Sequence, residues 1–232
     1  MKNLITSRLQ YRTPKTGNSF TEQKEASWIP SDFCSHLFIA LQPIFNRHRK
    51  IFGYEALSRS GWDNQFTDDL QSATQIMIGD WMLDTPNRLT GESAIFLNCA
   101  REDLVGGLLT LLPAPTVLEV LETVEADEEV IAACRRLKAL GHQIALDDFQ
   151  LCEEMEGLIE LADYVKVDFR LSSQEERSEI LSYLRGKPIL LIAEKIETQE
   201  EFEAAVADGF QLFQGYYLAR PALFSKRSIP PS

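Results

Sequence analysis

Two aspartates stand side by side immediately after an apolar run in this chain. Residues 144–146 read as buried strand and lead directly into Asp147 and Asp148. Adjacent carboxylates repel each other, and each loses solvation where it is partly buried, so a positive charge should lie close to them. Carboxylate oxygens are hard ligands that suit magnesium or manganese. The pair therefore indicates a cation, with a metal ion as the leading hypothesis.

Other polar residues interrupt or follow apolar runs elsewhere in the chain. They are Glu55, Asn98, Glu119, Glu122, Lys166, Asp168, Glu194, Glu197 and Gln214. Each has an ordinary explanation when taken alone: a carboxylate or Asn98 is a solvated strand end or a helix cap, and Lys166 is half of a structural ion pair. Those explanations do not predict that all of them lie at one end of one sheet. Their convergence would surround a common point with hard oxygen ligands and one lysine, which favours a metal site.

The elements that must position these residues are short strands alternating with helices. Eight strand-like runs can be read, over residues 37–45, 51–57, 94–100, 116–122, 143–149, 164–169, 189–194 and 212–219. Alternation of strand and helix predicts parallel β/α units, and eight strands predict an α/β fold, a TIM-like (α/β)8 barrel. Only a few polar residues join the first two runs, too few for a crossover helix, so the first strand is predicted to be antiparallel.

Helix signals fill the segments between the strands. Apolar residues recur at helical spacing over 70–81 and over 130–137, where Gly141 ends the second pattern. Capping boxes open two further helices at Ser173 and Thr198, each with a glutamate three residues later. Active-site groups of such barrels collect at the C-terminal ends of the strands, so the polar residues are predicted to meet there.

Composition narrows the classes of ligand and the location. The 232 residues carry a formal net charge of −12, which argues against binding a nucleic-acid polymer, although cations could bridge the chain to a small phosphorylated ligand. The four cysteines show no C-x-x-C spacing, and neither a signal-peptide pattern nor an apolar run of about 20 residues is present. We therefore expect a cytoplasmic protein that does not enter a membrane.

The two ends of the chain differ from its middle. Residues 1–26 are polar and basic without periodicity, which predicts a flexible N-terminal tail. Residues 27–226 carry the strand and helix patterns and are predicted to form one barrel domain. Residues 227–232 read as a short C-terminal stub.

Seven ordered motifs carry a resemblance to a known family. They are GYEALSR, FLNCA, LEVLE, ALDDF, VKVD, AEKIET and FQGYYLARP, within a resemblance that runs from about residue 37 to residue 221. Their order and spacing resemble the EAL-domain cyclic di-GMP phosphodiesterases. The resemblance implies an (α/β)8 barrel with one antiparallel strand that hydrolyses cyclic di-GMP to linear pGpG with magnesium or manganese.

The resemblance also implies a role for each matching residue. The matches to metal ligands are Glu55, Asn98, Glu119 and Asp147, with Asp148 for a second metal. The matches to the groups that hold and activate the attacking water are Lys166 and Glu194. The matches to the surrounding polar shell are Asp168, Glu197 and Gln214, and those that contact the nucleotide and its phosphate are Gln42 and Arg59.

The stretch after the paired aspartates departs from the family pattern. Gln150 and Cys152 stand where active members typically have glycine, and Lys195 stands at another glycine position. Where the backbone needs φ > 0, a side chain costs roughly 1 kcal/mol or more. The loop is therefore predicted to take another course and to leave Asp148 free to turn away from the metals. These departures resemble a subgroup in which the EAL barrel is followed by an HDOD domain.

Three functions are compatible with these residues. A complete set of metal ligands beside an altered loop favours cyclic di-GMP binding with slow hydrolysis. The alternative is a catalytically silent signalling module that acts through a protein partner, and a homodimer is compatible with either function. A Schiff-base aldolase is the third, because Lys166 lies in a late strand. The neighbouring carboxylates disfavour the aldolase, since they would hold the lysine amine charged.

Overall fold

The computed structural model describes residues 37–60 and 93–224. The predicted helix over 70–81, the tail over 1–26 and the stub over 227–232 lie outside these ranges, as do the two domain boundaries. Those parts of the sequence analysis therefore stay predictions.

Nine strands in the described ranges form one sheet. They are β1 Leu37–Asn46, β2 Ile51–Ser60, β3 Ala94–Cys99, β4 Val117–Val120, β5 Gln143–Leu146, β6 Tyr164–Asp168, β7 Leu190–Glu194, β8 Leu212–Phe213 and β9 Ala222–Phe224. Strands β2 to β8 pair in parallel in chain order, and β1 pairs antiparallel with both β2 and β8, which closes the barrel. The predicted barrel with an antiparallel first strand is confirmed, and each predicted run contains a strand.

A tight turn makes the first strand antiparallel. The Asn46 side chain accepts hydrogen bonds from the backbone N–H groups of His48 at 2.9 Å and Lys50 at 3.1 Å. Arg49 takes a left-handed φ of 57° and completes the reversal. Strand β9, which pairs antiparallel with β1, was not predicted, because three residues are too few to show a strand period.

The described helices alternate with the strands. They are α1 Arg101–Gly106, α2 Glu128–Ala139, α3 Glu156–Ile159, α4 Gln174–Leu184 and α5 Gln199–Asp208, with 3-10 turns at Leu108–Leu111 and Glu153–Met155. Both predicted capping boxes are present, at the starts of α4 and α5. Helix α2 buries Val130, Cys134 and Leu137, as their spacing predicted. None of the helices in the described ranges combines the length and the apolar character that crossing a membrane requires.

Two layers of side chains fill the barrel interior. The lower layer, which we call the apolar floor, consists of Ile44, Phe96, Val117, Ala145, Tyr164, Ile192 and Leu212. Because side chains alternate along a strand, residues two positions nearer the C-terminal ends of β2 to β8 face the same interior. Those residues are Gln42, Asn98, Glu119, Asp147, Lys166, Glu194 and Gln214. The strand period thus places a ring of polar side chains directly above a packed floor.

Candidate active site

A cleft of about 480 Å³ opens at the C-terminal ends of the parallel strands, and we call it the mouth. The predicted site residues that line it are Gln42, Glu55, Asn98, Glu122, Asp147, Asp148, Lys166, Glu194, Glu197 and Gln214. Glu119 lies buried within hydrogen-bonding distance of Lys166. Asp168 is also buried and contacts the mouth through Lys195. Arg59 lies in β2, and its predicted phosphate contact stays a prediction.

The Lys166 ammonium lies at the centre of this site. Its Nζ atom is 2.7 Å from Asp147 Oδ1, 3.0 Å from Glu119 Oε2, 3.0 Å from Glu194 Oε2 and 3.8 Å from Glu55 Oε2. Burial alone would lower the pKa of this lysine, but the four carboxylates outweigh burial and raise the pKa well above its usual value. Lys166 is therefore held charged, which is unfavourable for the Schiff-base chemistry of an aldolase.

The four carboxylates around Lys166 carry more negative charge than one ammonium balances. Burial raises the pKa of Glu119 well above its usual value; Lys166 opposes this shift, and Glu55 adds to it. Burial also raises the pKa of Glu194 to about 8, against the opposing charge of Lys166. Without a further cation, part of the cluster is therefore neutralised by protons.

Two amide side chains orient the Glu55 carboxylate. Asn98 Nδ2 donates a hydrogen bond to Glu55 Oε1 at 3.2 Å, and Gln214 Nε2 donates one to Glu55 Oε2 at 2.6 Å. Asn98 also stands directly opposite Glu119 in the pairing of β3 with β4. Three of the predicted metal ligands, Glu55, Asn98 and Glu119, are therefore neighbours in space.

The donor atoms of this cluster suit a hard cation. Glu119 Oε1, Glu194 Oε1 and Gln214 Oε1 are buried and accept no hydrogen bond from any described residue. Carboxylate and amide oxygens are the ligands that magnesium and manganese prefer. In the described ranges, no three histidine, cysteine or acidic side chains are already arranged to hold an ion. The chemistry of these donor atoms fits such an ion, and in this structure the Lys166 ammonium contacts the same carboxylates.

Asp148 is paired with a lysine and is not free. Lys195 Nζ lies 3.0 Å from both carboxylate oxygens of Asp148 and 2.5 Å from Asp168 Oδ2. Asp148 and Lys195 both take left-handed backbone conformations, with φ of 39° and 58°, whereas Gln150 and Cys152 avoid positive φ. The lysine at one of the family's glycine positions thus holds the carboxylate of Asp148, and the predicted turn of Asp148 away from the metals stays a prediction.

Gly215 allows two backbone segments to approach closely beside the mouth. Its φ is 156°, and a Cβ atom at this position would collide with the backbone of Ile196. Ile196 N donates a hydrogen bond to Gln214 O at 3.0 Å, and Tyr217 N donates one to Ile196 O at 3.0 Å. Gly215 thereby fixes the turn after β7 that carries Lys195.

Two residues at the rim of the mouth were not predicted. Arg170 and Tyr216 both line the cleft and are exposed. Arg170 pairs with Glu197 at 2.8 Å, and the Arg220 guanidinium lies 4.8 Å from the centroid of the Tyr216 ring. Arg170 directly follows a predicted strand, a position that could have marked it as a site residue, whereas Tyr216 falls inside the last predicted run, 212–219.

A family model accounts for more than half of the chain. Residues 100–221 match the EAL domain family. The matched segment includes β4 to β8, which supply most of the polar ring at the mouth. The chain therefore belongs to the EAL domain family, and the resemblance drawn from the seven motifs is confirmed.

Two relatives extend the similarity over most of the chain. The uncharacterized protein YuxH of Bacillus subtilis (strain 168) is 34% identical over 201 residues, which are 83% of this chain and 49% of that protein. The cyclic di-GMP phosphodiesterase CdgJ of Vibrio cholerae serotype O1 (strain ATCC 39315 / El Tor Inaba N16961) is 30% identical over 220 residues, which are 89% of this chain and 51% of that protein. The chain spans about half the length of these curated relatives.

The fold is also found in solved structures. The Bacillus subtilis YkuI protein, with an EAL domain, in complex with cyclic di-GMP and calcium, matches with a TM-score of 0.65 and 23% identity. The match covers 81% of this chain and 55% of that chain. This likeness agrees with the (α/β)8 barrel described above.

Proposed function

We propose that this chain binds cyclic di-GMP at the mouth of its barrel through a divalent cation. The observation that carries the proposal is the cluster of buried carboxylates around Lys166, whose negative charge exceeds that of one ammonium. A divalent cation would balance the cluster and bridge the acidic mouth to a phosphodiester anion. The relatives support this ligand, since one is named a cyclic di-GMP phosphodiesterase and YkuI was solved with cyclic di-GMP and calcium.

The residues that would hold the cation are Glu55, Asn98, Glu119 and Asp147. Their carboxylate and amide oxygens suit Mg²⁺ or Mn²⁺, the ions that the family resemblance implies. When bound, such an ion offsets phosphodiester charge and lowers the pKa of a water molecule. The unpartnered buried oxygen of Glu119 supports this assignment, because a cation would give it a partner.

Lys166 and Glu194 would hold and activate the attacking water. Their side chains lie 3.0 Å apart at the centre of the mouth. The charged Lys166 would stabilise the negative charge that develops at phosphorus. Glu194, whose pKa burial raises to about 8, can exchange a proton near neutral pH. Hydrolysis would then open one phosphodiester of cyclic di-GMP and yield linear pGpG.

The nucleotide would lie in the cleft at the mouth. The volume of the cleft, about 480 Å³, is in the usual range for small-molecule sites. The residues that would contact or surround the nucleotide are Gln42, Arg59, Asp168, Glu197 and Gln214. We expect Arg59→Ala to weaken cyclic di-GMP binding roughly tenfold, measured by titration calorimetry, because a charge-assisted hydrogen bond to phosphate is lost. An unchanged affinity would contradict the role of Arg59.

The pairing of Lys195 with Asp148 favours binding with slow hydrolysis over rapid turnover. Asp148 matches a ligand of a second metal, and the lysine ammonium already contacts both of its carboxylate oxygens. For the same reason a catalytically silent signalling module is the second candidate function. Such a module would act through a protein partner or as a homodimer, with the nucleotide as its regulator.

Two measurements on the same purified chain, one of binding and one of hydrolysis, test the proposal. Calorimetric titration with cyclic di-GMP in calcium should give saturable binding, and chromatography after incubation with manganese should give slowly accumulating pGpG. Asp147→Asn should reduce both, because it removes a predicted metal ligand, whereas Glu129→Gln, an exposed change on α2, should alter neither. Absence of binding at near-millimolar nucleotide with divalent metal would overturn the proposal and favour the silent module.

A further inference from the structure

A second ammonium lies at the mouth, apart from the cluster of Lys166. Lys195 Nζ is 3.0 Å from Asp148 Oδ1, 3.0 Å from Asp148 Oδ2 and 2.5 Å from Asp168 Oδ2. Three carboxylate oxygens, from the ends of β5 and β6, therefore converge on one point. A hard divalent ion takes oxygen ligands at about 2.0–2.6 Å, so a small contraction would bring these oxygens to metal-binding distance.

The backbone at both partners holds this arrangement in place. Asp148 and Lys195 adopt left-handed φ values of 39° and 58°, which residues other than glycine rarely take. The turn that carries Lys195 is fixed by the hydrogen bonds that Ile196 makes with Gln214 and Tyr217. Strained backbone of this kind persists where the surrounding structure imposes it, often at functional sites. The lysine is therefore directed at the carboxylates by the fold.

The hydrogen bonds of Asp168 leave one oxygen for the lysine. Its Oδ1 atom accepts hydrogen bonds from the backbone N–H groups of Arg170 at 2.7 Å and Leu171 at 3.1 Å. Its Oδ2 atom faces Lys195, and the side chain is 6% exposed. Burial would lower the pKa of Lys195, but the hydrogen bonds to Asp168 and Asp148 outweigh burial and raise the pKa, so the amine stays charged.

We infer that Lys195 is a built-in counter-ion at the position of a second cation, so that this chain binds one divalent ion where its acidic residues could hold two. The inference rests on the proposed function, because it assumes that the first ion binds at Glu55, Asn98, Glu119 and Asp147. An ammonium tethered by its own backbone offsets one of the two negative charges of Asp148 and Asp168 without competing ions in solution. It also repels a divalent ion that approaches the same oxygens.

The substitution of an ammonium for an ion changes what the site can do. An ammonium supplies positive charge and three hydrogen-bond donors, but it has no coordination position for water or phosphate. Paired metal ions act by stabilising both the attacking and the leaving oxygen. Lys195 is therefore a positioning residue that preserves nucleotide binding and limits turnover.

Counting bound Mn²⁺ tests the inference without relying on activity. The full chain is titrated with manganese chloride alone, to near-millimolar free ion, and free Mn²⁺ is measured by electron paramagnetic resonance. The wild-type chain should bind one ion. Lys195→Met should bind two, because the oxygens of Asp148 and Asp168 lose their counter-ion. Lys195→Gly, which also relieves the left-handed backbone, should give the same gain of one ion.

A control variant and the wild type distinguish failure of the inference from failure of the proposed function. Lys138→Met removes an ammonium that pairs with Asp163 at 2.6 Å, before β6 and away from the mouth, so it should still bind one ion. Two ions on the wild type would overturn the inference and leave the proposed function standing. One ion on both Lys195 variants, with circular dichroism spectra like the wild type, would also overturn the inference. No ion on the wild type would overturn the cation site of the proposed function and the inference with it.

Discussion

Lys166 and Lys195 place two ammonium groups at the same mouth, but the chain holds them in different ways. Lys166 is 1% exposed, lies within the regular strand β6 and faces four carboxylates. Lys195 is 44% exposed, follows β7 in a left-handed turn and faces two carboxylates. Strand alternation fixes the first group, whereas one turn fixes the second. The buried ammonium of Lys166 thus contributes to the stability of the barrel, whereas the exposed ammonium of Lys195 adjusts the charge of the mouth.

Removing each amine in turn should give the largest contrast. Lys166→Met leaves four carboxylates, three of them buried, without their cation, so we expect the free energy of unfolding to fall by about 3–5 kcal/mol. Lys195→Met removes a half-exposed amine, and its buried partner Asp168 keeps two backbone hydrogen bonds, so the loss should be smaller, about 1 kcal/mol. Urea denaturation in the presence of a chelator measures both. Equal losses in the free energy of unfolding would show that the difference in burial between the two lysines does not determine their contributions to stability.

The turn that holds Lys195 can be broken without touching the lysine. Gly215→Ala places a Cβ atom against the backbone of Ile196 and should lower the free energy of unfolding by about 1–3 kcal/mol. Gly106→Ala is the matched control, because a Cβ atom there meets nothing within 4 Å, and it should be close to neutral. Denaturant unfolding compares the two. A neutral Gly215→Ala would mean that the close approach does not fix the turn.

The buried cluster should also respond to pH through Glu194. Its pKa in the folded chain is about 8, above the value of 4.5 for an unperturbed glutamate, so its stabilising contribution is complete below pH 4.5 and is lost as the pH rises towards 8. One proton changes stability by at most about 1.4 kcal/mol per pH unit. In chelator, Glu194→Gln should therefore lose less stability than the wild type between pH 5 and pH 8, measured by urea denaturation.

Saturating magnesium provides the control for this pH effect. The proposed cation would replace the proton as the partner of the carboxylates, so the pH dependence of the wild type should flatten. The unchanged slope of the wild type in magnesium would contradict a cation site beside Glu194. Parallel slopes for wild type and Glu194→Gln in chelator would contradict the raised pKa.

The polar ring was predictable because its geometry depends on one local rule. Alternate residues of a strand share a face. Lys166, between Val165 and Val167, was therefore predicted to face the same side as Asp168, two positions further along the strand. The same rule relates each ring residue to the apolar floor two positions away. A parallel barrel then brings the strand ends together. The convergence of the predicted ligands required no information beyond these patterns.

The pairing of Lys195 with Asp148 was not predictable by the same rule. The two residues are 47 positions apart, and their contact depends on left-handed backbone at both ends. The sequence marked Lys195 only as a departure from glycine, which does not specify where the side chain points. Turns of this kind depend on tertiary contacts, here with Gly215 and Ile196, that local patterns do not encode.

The apolar floor has a consequence for the order in which ligands arrive. Its Phe96 and Tyr164 rings pack edge to face with centroids 5.1 Å apart, and Phe52 packs on Tyr164 at 6.0 Å, so the proposed ion and nucleotide would both enter the described barrel from the mouth. A low-dielectric base directs the field of the acidic ring outward, towards solvent. That field attracts cations and repels a nucleotide with two phosphodiester charges. We therefore expect an ordered association, in which the ion binds before the nucleotide and leaves after it.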